Sequence, residues 1–114
     1  MASQENVITH TYDLLLYIVP QLAKYPKTQK FLLADRIQSQ LLDFLEGLIE
    51  AYYSDKERKK PLLKSSNLQL EKLRYLVRLS KDLQCIDLQR YEVISKKMDD
   101  IGRQVGAWLK GISG

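Results

Sequence analysis

The 114 residues are 45% hydrophobic and 28% charged, too apolar for an intrinsically disordered segment and of a size that suits one domain. Five glycines and three prolines are too few for the closely spaced turns of a small β-sandwich or barrel, which leaves an all-α fold. A single cysteine, Cys85, and a single histidine, His10, exclude an intramolecular disulfide and a His-rich metal site; with a formal charge of +4, the composition points to an intracellular, cytoplasmic protein.

The one stretch with the character of a signal or membrane segment, Leu14-Leu15-Leu16-Tyr17-Ile18-Val19, follows Asp13 and stops at Pro20, well short of the roughly 20 apolar residues that a bilayer crossing needs. It belongs to a first helix over residues 7–25, with Ile8, Tyr12, Leu15, Val19 and Leu22 stepping by fours and threes along its buried face. Pro20 removes one backbone hydrogen bond and is expected to bend that helix. Tyr25-Pro26 breaks the pattern, and Thr28 is placed to cap a second helix over residues 29–53. There Leu33, Ile37, Leu41, Phe44, Leu45 and Leu48 face inward. A polar, basic break from Ser54 to Pro61 precedes a third helix over residues 61–83. Pro61 takes its first position, and Leu62, Leu70, Leu73, Leu76, Val77 and Leu83 face the core. Cys85-Ile86-Asp87 makes the last turn, with Asp87 as cap. A fourth helix over residues 88–112 carries a heptad seam of Tyr91, Ile94, Met98, Ile101, Val105, Trp108 and Ile112. Four amphipathic helices with short connections make residues 1–114 a single all-α domain, an up-down-up-down antiparallel four-helix bundle.

Charge is distributed unevenly. Residues 1–54 hold four bases against six acids, net −2, and residues 55–114 hold fourteen against eight, net +6, so the second half attracts polyanions. On a helical projection the third helix shows three stripes. Besides the core arc, Leu68, Tyr75, Leu79 and Ile86 form a second apolar line roughly opposite, and Lys60, Lys64, Arg74, Arg78 and Lys81 fill the gap. An apolar line facing away from its own core is expected to pack against another subunit, making the protein a homo-oligomer. Cations three and four apart on one face meet a phosphate backbone without regard to its sequence. Those five are therefore the candidate nucleic-acid contacts, weighed against an ordinary solvated face.

The second helix bears the opposite sign: Asp35, Asp43, Glu46 and Glu50 share an arc that is either solvated or a seam with the basic arc of a neighbouring subunit. Gly47, Gly102 and Gly106 mark sites of close helix approach. Neither a metal, a cofactor nor a small-molecule substrate is expected. The Glu-x-x-His motif of di-metal bundles, a Gly-rich phosphate loop, a Ser/His/Asp set and zinc spacing are all absent from the sequence. Cys85, at a helix end, reads as a packing residue and not as a nucleophile served by His10, so the chain is expected to be non-catalytic.

Three runs carry a resemblance. Asp35-Arg36-Ile37 through Leu41-Leu42-Asp43-Phe44-Leu45-Glu46-Gly47-Leu48-Ile49-Glu50-Ala51, then Leu73-Arg74-Tyr75-Leu76-Val77-Arg78-Leu79, then Ile101-Gly102-Arg103-Gln104-Val105-Gly106-Ala107-Trp108-Leu109 resemble the accessory variability determinant (Avd) of diversity-generating retroelements. That family is similar to the four-helix-bundle proteins encoded in bacterial 23S ribosomal RNA intervening sequences. The resemblance extends from about Tyr12 to Ile112. It implies a homopentameric, barrel-like assembly of bundles whose basic surface binds RNA or DNA and the reverse transcriptase of the same element, supplying no chemistry itself. In such elements the transcriptase copies a template-repeat RNA into cDNA mutated at adenines, and the cDNA replaces a variable repeat, a process called mutagenic retrohoming. The family's basic contacts correspond best to Arg74 and Arg78, and its pattern places a glycine in the turn where Gln84-Cys85 stands. The competing expectation is a structural or interaction protein of the intervening-sequence type with no polymerase partner.

Overall fold

The first helix, α1, spans Ala2–Leu22 in a computed structural model that describes the backbone of residues 2–113 and the side chains of residues 5–112. Its buried face is Val7, Thr11, Leu14, Leu15, Ile18 and Leu22, while Tyr12 and Val19 are exposed and Ile8 is half-buried. The face is thus rotated by about one residue from the expected stripe. The unbroken apolar run Leu14 to Val19 offers a buried residue at every angle, so spacing alone cannot choose among them. Thr11 is accepted on the inner side because its hydroxyl donates to the Val7 carbonyl at 2.7 Å. Pro20 falls in the last turn and costs the helix only the bond to the carbonyl of exposed Leu16.

The second helix, α2, opens at Lys27–Gln29, widens into a π-helical turn at Lys30–Ala34 and continues as a regular α-helix over Asp35–Tyr53. Pro26, not Thr28, precedes it, and no side chain caps its start. The wide turn has a sequence cause. In unbroken α spacing Lys30 would share the inward face of Leu33, Ile37 and Leu41, three, seven and eleven residues on. With the Asp35 N–H bonded to the Lys30 carbonyl, Leu33 and Ala34 stay buried while Lys30 turns out to solvent.

The third helix, α3, spans Lys56–Asp82, so the polar break shrinks to Ser54-Asp55 and Pro61 lies inside the helix instead of at its start. Two local devices override the run of charges. The Asp55 carboxylate accepts the Arg58 N–H at 3.0 Å as an N-cap, and Lys59 Nζ donates to the carbonyls of Ala51, Tyr52 and Ser54 at 2.9, 2.9 and 2.7 Å, closing the end of α2. The bond that Pro61 cannot make would have gone to the carbonyl of Glu57, in the exposed first turn.

The α3–α4 turn follows the Schellman pattern: Cys85 N–H bonds to the Ser80 carbonyl, Gln84 N–H to the Lys81 carbonyl, and Gln84 takes φ +62°. Asp87 then accepts the Arg90 N–H at 2.8 Å, as expected of a cap, and the fourth helix, α4, runs over Leu88–Ser113. Its seam is buried from Ile94 through Trp108, with Tyr91 and Ile112 half-buried at the ends.

Each helix packs against two others, α1 on α2 and α4, α3 on α2 and α4. With such short connections the neighbours run antiparallel, giving a four-helix bundle of 44 × 23 × 19 Å. Leu14, Ile18, Ile37, Leu41, Phe44, Leu73, Ile94 and Met98 lie within the core. Leu83, expected inside, is exposed, because α3 ends one residue before it. Among the described residues no helix is long and apolar enough to cross a membrane.

Candidate nucleic-acid and subunit interface

The cations of α3 divide by what they touch. Arg74 reaches across to α4: Nη1 meets the Asp99 carboxylate at 2.5 Å and Nη2 the Met98 carbonyl at 3.3 Å, while Nε lies 3.1 Å from Glu71. The guanidinium rests on Gly102, where a Cβ would stand 2.8 Å from Nη2. Gly102 is therefore a close approach, to a side chain and not to a helix backbone, and Arg74 is a staple between α3 and α4 with two carboxylates against its charge. Arg78 Nε lies 4.0 Å and Lys81 Nζ 3.4 Å from Asp82, and Lys81 also stands 4.7 Å above the Tyr91 ring. Lys60 and Lys64 are exposed. Among the described residues neither reaches a carboxylate.

The outer apolar line of α3 is in place for three of its four members: Leu68 is 58%, Tyr75 69% and Leu79 44% exposed. Ile86 is not among them. It is 7% exposed and packs in its own core. The projection along α3 loses its meaning once the helix ends at Asp82 and the left-handed residue Gln84 turns the chain inward. Gly47 is a true close approach, with a Cβ position 3.2 Å from Ser66 Oγ on α3; Gly106 faces open space.

A second apolar surface lies between α1 and α2, where Tyr12, Leu16, Val19 and Leu42 are exposed around a groove floored by Leu15 and Leu45. Sequence reasoning missed it by assigning Tyr12 and Val19 to the core. The signal available was the excess of apolar residues in α1 over what one buried face can use. Beside the groove, Asp43 and Glu46 are exposed, while Glu50 pairs with Arg58 at 2.6 Å within the same chain. His10 Nδ1 lies 2.7 Å from Gln104 Nε2. Burial pushes the Cys85 thiol up from its ordinary range, and the half-buried side chain packs against the core. Among the described residues no cluster of His, Cys, Asp or Glu has the arrangement of a metal site.

A family model described as bAvd-like matches residues 6–112. The chain belongs to the bAvd-like family, the accessory variability determinants. A search of the curated proteins finds no match. The bAvd-like region includes part or all of each of the four helices, so the α3 surface and the α1–α2 groove both lie within it.

Proposed function

We propose that this bAvd-like chain is a non-catalytic accessory subunit of a diversity-generating retroelement, holding template-repeat RNA or its cDNA beside the element's reverse transcriptase to support mutagenic retrohoming. The observation that carries this reading is the family match over residues 6–112. The surface chemistry supports it: the second half of the chain has an excess of six positive charges, with Lys60, Lys64 and Arg78 directed outward and Lys81 beside them. Arg74 supports the same surface indirectly, by fixing α3 against α4.

The chain acts as a homo-oligomer in this reading. The exposed line on α3 and the groove between α1 and α2 are different surfaces on separate sides of the bundle, since α1 and α3 occupy opposite corners of the cycle of packed helices. Two unlike apolar faces suit head-to-tail contact between copies, which closes into a ring when the rotation allows. Lys64 and Arg78 beside the line complement Asp43 and Glu46 beside the groove. Five subunits is the number that the family resemblance implies.

Binding of labelled RNA and DNA titrated against salt tests the polyanion role. Wild-type affinity should fall steeply with salt, and the triple variant Lys60→Ala, Lys64→Ala, Arg78→Ala should flatten the log–log slope by about two to three units, at 0.7 to 0.9 per lost phosphate contact. A wild-type chain with no measurable affinity for either polymer at low salt overturns the reading.

A further inference from the structure

The end of the bundle where the α1–α2 connection meets the α3–α4 turn carries a second cationic cluster, set on α1 and α2 and not on the α3 stripe. All four bases of the first 54 residues, Lys24, Lys27, Lys30 and Arg36, fall within it, and from Leu14 to Ala34 the sequence contains no acid. All four are exposed, and among the described residues none is paired with a carboxylate. In their midst stand Phe31 and Leu32, 76% and 74% exposed, the first far more than an aromatic side chain usually tolerates. They are held there by the π-helical turn Lys30–Ala34, a rare departure from α geometry that turns Lys30 outward together with Phe31.

We infer that this knob is a binding site for single-stranded nucleic acid, in which an unpaired base stacks on the Phe31 ring while Lys24, Lys27, Lys30 and Arg36 track the adjoining phosphates. The inference rests on the reading above that the chain binds nucleic acid, and it places the contact on a different surface. A bare aromatic ring ringed by cations with no carboxylate partner is the combination that single strands use: each base has a face to stack, and the charges follow the backbone without regard to sequence. A duplex keeps its base faces covered and gains nothing from Phe31. A protein partner would have to supply acidic and apolar groups together, and Asp35 is the sole carboxylate that this segment itself sets near the cations.

Fluorescence anisotropy with a labelled 20-nucleotide oligo(U) and an RNA duplex of equal length tests the site. Phe31→Ala should weaken oligo(U) binding about fivefold or more with little change in salt slope. Phe31→Trp should restore it and Phe31→Leu should not, because stacking needs a ring. The triple variant Lys24→Ala, Lys27→Ala, Lys30→Ala should lower the oligo(U) slope by about two units. Duplex affinity should not respond to Phe31. All these side chains are exposed, so circular dichroism should show every variant folded. If the wild type binds oligo(U) and the Phe31 and lysine variants bind it equally well, this site is wrong and the broader reading stands. If Phe31→Leu behaves as wild type, or Phe31→Ala lowers the mass of the assembly without changing oligo(U) binding, the knob is an apolar protein contact. A wild type that binds neither probe overturns both.

Discussion

Gln84 holds a left-handed backbone conformation, φ +62°, in the turn where the resemblance sets a glycine. The turn closes all the same, because the hydrogen bonds from Cys85 to Ser80 and from Gln84 to Lys81 fix it. A residue with a Cβ is strained there, so Gln84→Gly should raise stability by about 1 kcal/mol, read as a shift of the urea midpoint; a loss would mean that the glutamine side chain contributes more than the strain costs. The same turn sets a pH limit. Tyr25, 5% exposed, has its hydroxyl pushed above 10.0 by burial, an effect partly opposed by its hydrogen bond to Ser80, and Cys85 is pushed above 9.0 by burial. Both groups are raised in the folded state, so their stability is complete below the unfolded values and is lost as pH rises through the folded ones. Tyr25→Phe should cost about 1 kcal/mol at neutral pH and give a flatter alkaline limb in urea midpoints measured from pH 7 to about pH 11.

At the scale of the helices, α2 and α4 were legible because their buried positions recur at threes and fours with polar residues between them, as from Ile94 to Trp108. The face of α1 was not, since six consecutive apolar residues carry no period. The π turn of α2 was written only in the position of Lys30, a charge in register with a core stripe, and an insertion of register has no residue signature of its own. The start of α3 depended on Asp55 and Lys59 reaching particular partners, which charge and Pro61 obscured. Two glycines of α4 separate helix propensity from contact. Gly106→Ala, in open space, should add about 1 kcal/mol to stability, whereas Gly102→Ala should add less, because the Arg74 guanidinium must move. In an Arg74→Ala background the gap between the two increments should narrow in thermal or urea denaturation, leaving only the Leu70 contact at 3.4 Å; an unchanged gap would mean that the guanidinium does not limit the space at Gly102.

For the molecule as a whole, the imbalance of charge between the halves and the exposed line on α3 could be read from residues alone, while the groove between α1 and α2 needed the true face of α1. Ile86 shows the boundary of that reading, since a helical projection fails where the helix stops. Head-to-tail assembly makes a specific demand on light scattering. Tyr75→Glu on the α3 line and Leu16→Glu in the groove should each yield monomers, and an equimolar mixture of the two should form dimers, each variant supplying its intact face. Mixtures that stay monomeric would show that the two surfaces do not mate.

Sequencing of the variable repeat, in cells that carry the retroelement with and without this chain, reaches the proposed function itself. Removing the chain while leaving the reverse transcriptase expressed should abolish adenine-directed changes in the repeat, and supplying it in trans should restore them. Undiminished mutagenesis in its absence would mean that the chain is not the accessory subunit of that reaction.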